Sequence, residues 1–355
     1  GATKSITGRD FQNGDSFTFT VAAQNGAPDF ANKSVTVNPT SGSTVSVDFG
    51  KATYTKDGEY KYTVKETKGS IGGIDYDETE YPVTVSVVDN GDGTLTATNS
   101  YKAGTDIKTA IGFANTYDAK GKANLSVKKA LSTGATPVDG KYEFQLIENG
   151  KDKQTKSNVG ENVTFDTINY TLKDVGTHTY TIHESSTAAK GWTNGADVTV
   201  VVNVEDNKDG TLNVTYGTDK ADTFTVPTVT NTYSTKGETE LIASKAITGR
   251  EFKSGDKFTF TVTPQDGAPA FANPSVTIEP TSGSSAAVNF GKANYTKAGE
   301  YTYTVKETVP DEDKRIKGLT YDTTEYTVIV KVVDDGEGKL TATQTYKVGE
   351  DTNTS

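Results

Sequence analysis

The sequence predicts an all-β protein made of several small β-sandwich domains in a linear array. Thr, Val and Tyr are abundant, and the chain of 355 residues contains 35 glycines, which is typical of short strands joined by turns. Apolar residues recur with period 2 and hardly ever at helical spacing, so the strands have one face turned to a core. The length fits two or three domains of ordinary size.

Internal repeats divide the chain into three units. Residues 4–66 match residues 245–307 at an offset of 241, beginning with KSITGRDF against KAITGREF. The middle unit has diverged but keeps the same order of segments. Each unit reads as several alternating strands separated by Gly, Asn and Asp turns, the pattern of a β-sandwich. The predicted domains are residues 1–119, 120–236 and 237–355, which follow one another through short polar linkers.

One strand occurs in all three units and places a glutamate among apolar residues. It reads GEYKYTVKE, GTHTYTIHE and GEYTYTVKE, and the alternation puts Glu66, Glu184 and Glu307 on the apolar face. A carboxylate on a core face is costly unless it is protonated or paired. We therefore expect each core to hold a partner for its glutamate.

The first strand of each unit supplies a candidate partner. Lys4, Lys129 and Lys245 each fall on the apolar face of their strand, as Lys4 does between Ala2 and Ile6. The alternative interpretation of any one of them is a lysine at a strand edge, or one that extends its amine to solvent.

The last strand supplies a third candidate. Asn115 in FANTY and Asn231 in VTNTY lie on the same face as apolar or aromatic neighbours. A single inward asparagine is more often a satisfied residue at a turn or strand end. Lys, Glu and Asn nevertheless recur on apolar faces in the same order, which favours one constellation over three unrelated features.

These motifs resemble the streptococcal pilin isopeptide-linkage domain, the sandwich type of Gram-positive pilus shafts and surface-adhesin stalks. The resemblance covers all three units through the early lysine, the YTVKE-like strand and the acidic turn, and through the closing N-T-Y of the first two. It implies Ig-like, pilin-type sandwiches in which Lys and Asn side chains condense into an amide while the Glu assists. The implied sets are Lys4, Asn115 and Glu66, then Lys129, Asn231 and Glu184.

Elementary chemistry agrees with this implication. Burial lowers the pKa of a lysine and raises that of a glutamate, by up to about 3 to 5 units, so both can be neutral at neutral pH. A neutral amine is a nucleophile, and a protonated glutamate can polarise the amide carbonyl and pass on the proton as ammonia leaves. The reaction occurs once per domain, so we expect self-modification and no turnover enzyme.

The third unit departs from the pattern. Lys245 and Glu307 are present, but TYKVGEDTNTS at 345–355 aligns with the segment of the first unit that ends five residues before Asn115. Asn353 aligns with a lysine, so we do not expect it to replace the asparagine. The partner of Lys245 is absent from this chain, and we expect an open sheet edge that another strand can pair with.

Composition excludes several classes of function. The formal net charge is -11 and is spread along the chain, which argues against nucleic acid as a partner. Cysteine is absent, and the two histidines fall on opposite faces of one strand, so we expect no metal site and no cofactor. No apolar run is long enough to span a membrane, and no secretory signal opens the chain.

Two further signals have plain interpretations. The acidic turns at 89–94, 205–211 and 334–339 could suggest calcium, but their Asp-Gly sequences between alternating strands predict hairpin turns. Trp192 aligns with Ile74 in the first unit, which predicts a core residue instead of a carbohydrate platform.

The sequence thus favours a structural stalk or shaft module of an extracellular, cell-wall-anchored surface protein or pilus of a Gram-positive bacterium. Its expected partners are the neighbouring domains of the same protein, while host glycan or matrix protein would be bound by parts outside this chain. The alternative is a ligand-binding adhesin region that recognises such ligands through its loops. The near identity of the first and third units favours the stalk, because spacers need only length. Binding to a glycan or matrix array would separate the two hypotheses.

Overall fold

A computed structural model describes residues 1–103, 106–108, 110–349 and 351–353 of the chain. The regular structure there is almost entirely β-strand, and the short 3-10 helices are Leu172–Asp174 and Glu312–Lys314. The predicted all-β class is confirmed. No helix within these ranges is long and apolar enough to cross a bilayer.

The first unit is a sandwich of two sheets. Its strands are β1 (Ala2–Thr7), β2 (Phe17–Gln24), β3 (Ser34–Val37), β4 (Thr44–Val47), β5 (Gly58–Thr67), β6 (Ile74–Asp75), β7 (Glu80–Asp89), β8 (Leu95–Ala103), β9 (Asp106–Lys108) and β10 (Ile111–Tyr117). The sheets have the orders β4–β1–β10–β6 and β3–β2–β5–β7–β8–β9. Alternating burial along β1 and β10 turns every second side chain into the core, where it meets Phe17, Phe19, Tyr62 and Val85.

The second unit repeats this plan. Its strands are β11 (Lys120–Ala123), β12 (Ser126–Leu131), β13 (Glu143–Glu148), β14 (Lys151–Ser157), β15 (Asn162–Thr164), β16 (Ile168–Thr171), β17 (Gly176–Glu184), β18 (Trp192–Thr193), β19 (Val198–Asp206), β20 (Leu212–Tyr216) and β21 (Thr228–Tyr233). The main sheets have the orders β15–β12–β21–β18 and β14–β13–β17–β19–β20, while β11 pairs with β16.

The third unit has the same larger sheet but a smaller second one. Its strands are β22 (Gly237–Ala246), β23 (Phe258–Pro264), β24 (Ser275–Ile278), β25 (Ser285–Tyr295), β26 (Gly299–Thr308), β27 (Glu325–Asp334), β28 (Leu340–Val348) and β29 (Asp351–Asn353). The larger sheet has the order β24–β23–β26–β27–β28–β29, and β22 pairs with β25 in the smaller one.

In the first two units the strand that carries the lysine lies beside the last strand and runs parallel to it. In the first unit Lys4 of β1 is in register with Phe113 of β10, and Ile6 is in register with Asn115. In the second unit β12 and β21 pair in the same way. Within the described ranges, no strand pairs with the corresponding edge of β22.

The acidic turns close β-hairpins, joining β7 to β8, β19 to β20 and β27 to β28. No group of three or more His, Cys, Asp or Glu side chains in the described part of the chain is placed to hold a metal ion. Trp192 is only partly buried. Its ring packs 5.1 Å from that of Tyr233, its register partner on β21, so this side chain packs on the last strand of its own unit and is not fully inside a core.

Candidate functional site

The structure brings together the lysine, glutamate and asparagine singled out in the first unit. Lys4 Nζ donates to Glu66 Oε2 at 2.8 Å, and Asn115 Nδ2 donates to Glu66 Oε1 at 2.9 Å. The side chains of Lys4 and Glu66 are 0% exposed. One buried carboxylate therefore bridges the amine and the amide.

Three strands from two facing sheets position these side chains. β1 carries Lys4 and β10 carries Asn115 in one sheet, while β5 carries Glu66 in the other. The Lys4 amine lies 5.0 Å from the ring centroid of Phe17, a cation–π contact when the amine is charged. The site is thus closed by the core itself, which excludes water.

Burial shifts the two ionisable groups toward neutrality. Desolvation lowers the pKa of Lys4, although its hydrogen bond to Glu66 acts in the opposite direction. Desolvation likewise raises the pKa of Glu66 against the contributions of Lys4 and Asn115. The neutral amine and the neutral acid are therefore more accessible here than in water, and a proton can move between them at small cost.

The carbonyl oxygen of the asparagine is held by a backbone N–H. Asp77 N donates to Asn115 Oδ1 at 2.8 Å, and the Asp77 carboxylate accepts from Ala114 N at 2.9 Å and Thr79 N at 3.0 Å. The sequence-based scheme has Glu66 polarising this oxygen, whereas in the structure Glu66 faces Nδ2 and the backbone faces the oxygen. Sequence reasoning missed this donor, although the segment YD-x-TEY that carries it occurs in both the first and the third unit.

The second unit reproduces the arrangement with diverged surroundings. Lys129 Nζ donates to Glu184 Oε2 at 3.1 Å, and Asn231 Nδ2 donates to Glu184 Oε1 at 2.8 Å. The side chains of Lys129 and Glu184 are 0% and 1% exposed, and desolvation lowers the pKa of Lys129. Gly195 N donates to Asn231 Oδ1 at 2.9 Å, in the role of Asp77. A second Nδ2 bond goes to Asn194 Oδ1 at 3.1 Å.

The third unit has two of the three groups. Lys245 Nζ donates to Glu307 Oε2 at 2.7 Å, with side chains that are 11% and 3% exposed. Glu307 Oε1 is buried and has no hydrogen-bond partner in the described part of the chain. In the other two units the equivalent oxygen accepts from the asparagine. The side chain of Asn353 lies outside the described residues.

These groups can carry out one condensation per complete set. A neutral lysine is a nucleophile, the carboxylate beside it can accept its proton, and the N–H on the amide oxygen can stabilise the charge that develops there. The strands hold amine and amide on the same carboxylate, which removes most of the entropic cost of bringing them together.

Comparisons with solved structures give distant likenesses. The major pilin from Streptococcus pyogenes is 21% identical over 65% of this chain and 97% of its own, with a TM-score of 0.30. A C-terminal fragment of the pilus adhesin SpaC from Lactobacillus rhamnosus GG is 14% identical over 65% and 95%, with a TM-score of 0.25. The Bacillus anthracis TIE protein is 13% identical over 99% and 70%, with a TM-score of 0.23. No match was found among curated proteins.

The family assignment rests on a sequence comparison that covers nearly the whole chain. The family model FctA, the Spy0128-like isopeptide containing domain, matches three consecutive segments, residues 1–118, 125–234 and 241–355. The chain belongs to the family of Spy0128-like isopeptide containing domains and contains three copies of that domain in tandem.

Proposed function

We propose that this chain is a stalk or shaft module of a Gram-positive pilus or surface adhesin, stabilised by two intramolecular Lys–Asn amides. The bonds join Lys4 to Asn115 and Lys129 to Asn231. The observation that carries the proposal is the buried carboxylate that bridges a lysine and an asparagine in each of the first two units. The domains of the module are residues 1–119, 120–236 and 237–355.

The reaction in the first unit starts from the neutral amine of Lys4. Its nitrogen attacks the side-chain carbonyl carbon of Asn115 while Glu66, which has taken the proton of the lysine ammonium, lies beside it as the neutral acid. The Asp77 N–H stabilises the negative charge on the carbonyl oxygen, as a backbone donor does in an oxyanion hole. Glu66 then delivers its proton to the amide nitrogen, which leaves as ammonia, and takes one proton from the lysine nitrogen. One C–N bond forms, one breaks, and Glu66 ends in its starting state.

Glu184 and Gly195 have the corresponding roles in the second unit. The catalytic residues of the proposal are Glu66 and Glu184, together with Glu307 if an asparagine reaches Lys245. Each carboxylate acts once on its own domain, so the protein is not a turnover enzyme.

The position of the bonds explains their use. Lys4 lies on the first strand of its unit and Asn115 on the last, and these strands are adjacent and parallel. Tension that enters through β1 leaves through β10 across one covalent bond, so the remaining hydrogen bonds of the sandwich carry no load. By analogy with disulfides, closing a loop of about 100 residues also contributes on the order of 4 to 5 kcal/mol to stability.

A stalk module works outside the cell, and the proposal places this one in a protein attached to the cell wall. Its partners are the neighbouring domains of the same surface protein. Host glycan or matrix protein would be bound by other parts of that protein.

Single-molecule stretching of the whole chain tests the mechanical role. The first two units should not lengthen, while the third unit unfolds, so the trace shows one domain-sized event. Glu66→Gln and Glu184→Gln each keep the side-chain shape but cannot accept the lysine proton, and each should add one event. Three unfolding events in the unsubstituted chain would contradict the proposal.

A further inference from the structure

The hairpin turn of each later unit contacts the end of the preceding one. At the first junction, Tyr117 of β10 donates its hydroxyl hydrogen to Asp206 Oδ1 at 2.7 Å and accepts from Gly210 N at 3.1 Å. Burial and the neighbouring Asp206 raise the pKa of Tyr117 to about 12, so the hydroxyl keeps its proton. A Cβ atom on Gly210 would lie 2.5 Å from the nitrogen of Gly73, so only glycine allows this approach.

The second junction has the same contacts with different neighbours. Tyr233 donates to Asp334 Oδ1 at 2.9 Å and accepts from Gly338 N at 3.1 Å. A Cβ atom on Gly338 would lie 2.6 Å from the Cα atom of Gly191. Each junction is thus formed by its own tyrosine, its own aspartate and its own pair of glycines that approach closely.

The linkers take part in these contacts. Lys120 N donates to the Gly210 carbonyl at 3.2 Å, and Lys236 N donates to the Gly338 carbonyl at 3.1 Å. Each linker therefore runs beside the turn of the unit that follows it, and a unit joined by such a linker presents its tyrosine to that turn.

The turn of the first unit has the same structure but no such partner. Asp89 Oδ1 accepts from Gly91 N at 2.8 Å, as Asp206 accepts from Lys208 N at 2.8 Å. Gly93 corresponds to Gly210, and their φ angles are 88° and 90°. No atom of the described residues lies within 4 Å of a Cβ placed on Gly93, apart from its own chain neighbours.

The leucine that follows the hairpin turn also differs in burial between the first unit and the other two. Leu212 and Leu340 are 6% and 3% exposed at the two formed junctions, whereas Leu95 is only partly buried. The first unit thus carries a preformed copy of a surface that is covered in the other two units.

We infer that the turn from Asp89 to Leu95 is a docking surface for the closing N-T-Y strand of a further repeat of this type, placed before the first unit in the same polypeptide. The tyrosine hydroxyl would donate to Asp89 and accept from Gly93 N. A repeat in the same polypeptide is the occupant because both formed junctions also use a linker N–H. Tyr117 and Tyr233 of a second copy are already engaged. The inference uses no residue of the Lys, Glu, Asn sets and does not depend on amide formation.

The test adds a repeat and follows one amide hydrogen. The offset of 241 aligns Gly1 with Ile242, so residues 120–241 placed before Gly1 recreate the spacing of the second junction. In this four-unit chain, hydrogen exchange at Gly93 should slow by roughly tenfold relative to the three-unit chain, because its N–H gains a hydrogen bond. It should then match Gly210 and Gly338 of the same molecule.

The matched control replaces the tyrosine of the added repeat that corresponds to Tyr233 by phenylalanine. This variant keeps the ring and removes the hydroxyl, so exchange at Gly93 should return to its rate in the three-unit chain while Gly210 stays slow. Unchanged exchange at Gly93 in the four-unit chain would overturn the inference. It would also be overturned if calcium alone slowed Gly93 in the three-unit chain, since the turn would then be a cation site.

Discussion

Lys4 and Asn115 lie two register positions apart on adjacent parallel strands and bind the two oxygens of one carboxylate. Lys129 and Asn231 have the same stagger, because Lys129 is in register with Val229 and Leu131 with Asn231. The side chains of β-strands alternate between faces, so a shift of two keeps both groups on the core face. A shift of one would remove the asparagine from the site.

The first prediction concerns the glutamates. Glu66→Gln should prevent the bond in the first unit and leave that in the second, because the glutamine cannot take the lysine proton. Glu184→Gln should do the reverse, and either change should lower stability by up to about 4 to 5 kcal/mol through the lost cross-link. Mass spectrometry of peptides should find the cross-linked pair missing only in the substituted unit. Loss of both ammonias in either variant would assign catalysis to another group.

The second prediction concerns the backbone donor to Asn115. Asp77→Ala removes the carboxylate that holds Ala114 and Thr79, so the N–H on the amide oxygen should lose its alignment. Small misplacements of this kind can cost up to about 10²-fold in rate. Bond formation in the first unit should slow in a time course after refolding, while the second unit serves as an internal control. An unchanged rate in the first unit would show that the Asp77 carboxylate does not hold the N–H in place for the reaction.

Much of this site could be predicted from the sequence, because period-2 alternation fixes which side chains share a face. That reasoning placed Lys4, Glu66 and Asn115 inward, and the structure has them buried. The N–H of Asp77 could not be found in this way, because every residue has a backbone N–H and only the tertiary path of the chain selects one. The orientation of the Asn115 amide depends on the same contact.

The third prediction concerns the incomplete unit. Lys245 and Glu307 should persist as an ion pair, which contributes little stability when it is buried. The edge of β22 that no strand covers within the described ranges should make this unit the first to unfold and the first to be cleaved in limited proteolysis. Early cleavage in the first or second unit, with residues 241–349 intact, would contradict this.

Extension of the chain through a closing F-x-N-T-Y strand tests the same site by supplying an asparagine to Lys245 and Glu307. The added asparagine should reach Glu307 Oε1 and allow a third amide to form, with the loss of one more ammonia. The control extension carries alanine in place of the asparagine and should dock without reacting. A third amide that fails to form, although the added strand is protected from proteolysis, would show that Lys245 and Glu307 are not sufficient.

The fourth prediction concerns pH. His178 Nδ1 lies 2.8 Å from Glu148 Oε1, and Nε2 lies 2.7 Å from the carbonyl oxygen of Asp174. Both partners are acceptors, so both bonds form only when the ring is protonated. Burial of the ring opposes the charge, but the bonds to Asp174 and Glu148 outweigh burial and raise the pKa of His178.

A raised folded-state pKa fixes the sign of this effect. The stabilisation is complete below the unfolded pKa of about 6.5 and is lost as pH rises through the folded pKa. The denaturant concentration at which half of the second unit is unfolded should therefore decrease as the pH rises from about 6 to about 8. His178→Gln should remove this dependence, while His183→Gln, at an exposed position on the opposite face, should keep it. An unchanged dependence in His178→Gln would assign it to another group.

The contacts between the units could not be predicted from the sequence. The sequence predicts short polar linkers and hairpin turns, and within each unit the structure agrees with both predictions. Their contact depends on the approach of Gly73 to Gly210, which no pattern within a single unit encodes.

The intact mass of the purified chain tests the central claim most directly. If Lys4 is bonded to Asn115 and Lys129 to Asn231, the mass should fall short of the sequence mass by two ammonia molecules. The double variant Glu66→Gln, Glu184→Gln should retain the mass of both ammonia molecules, after correction for the mass change that the two substitutions cause. A chain that carries its full sequence mass after folding would contradict the account, because the geometry of the two sites would then be present without the reaction.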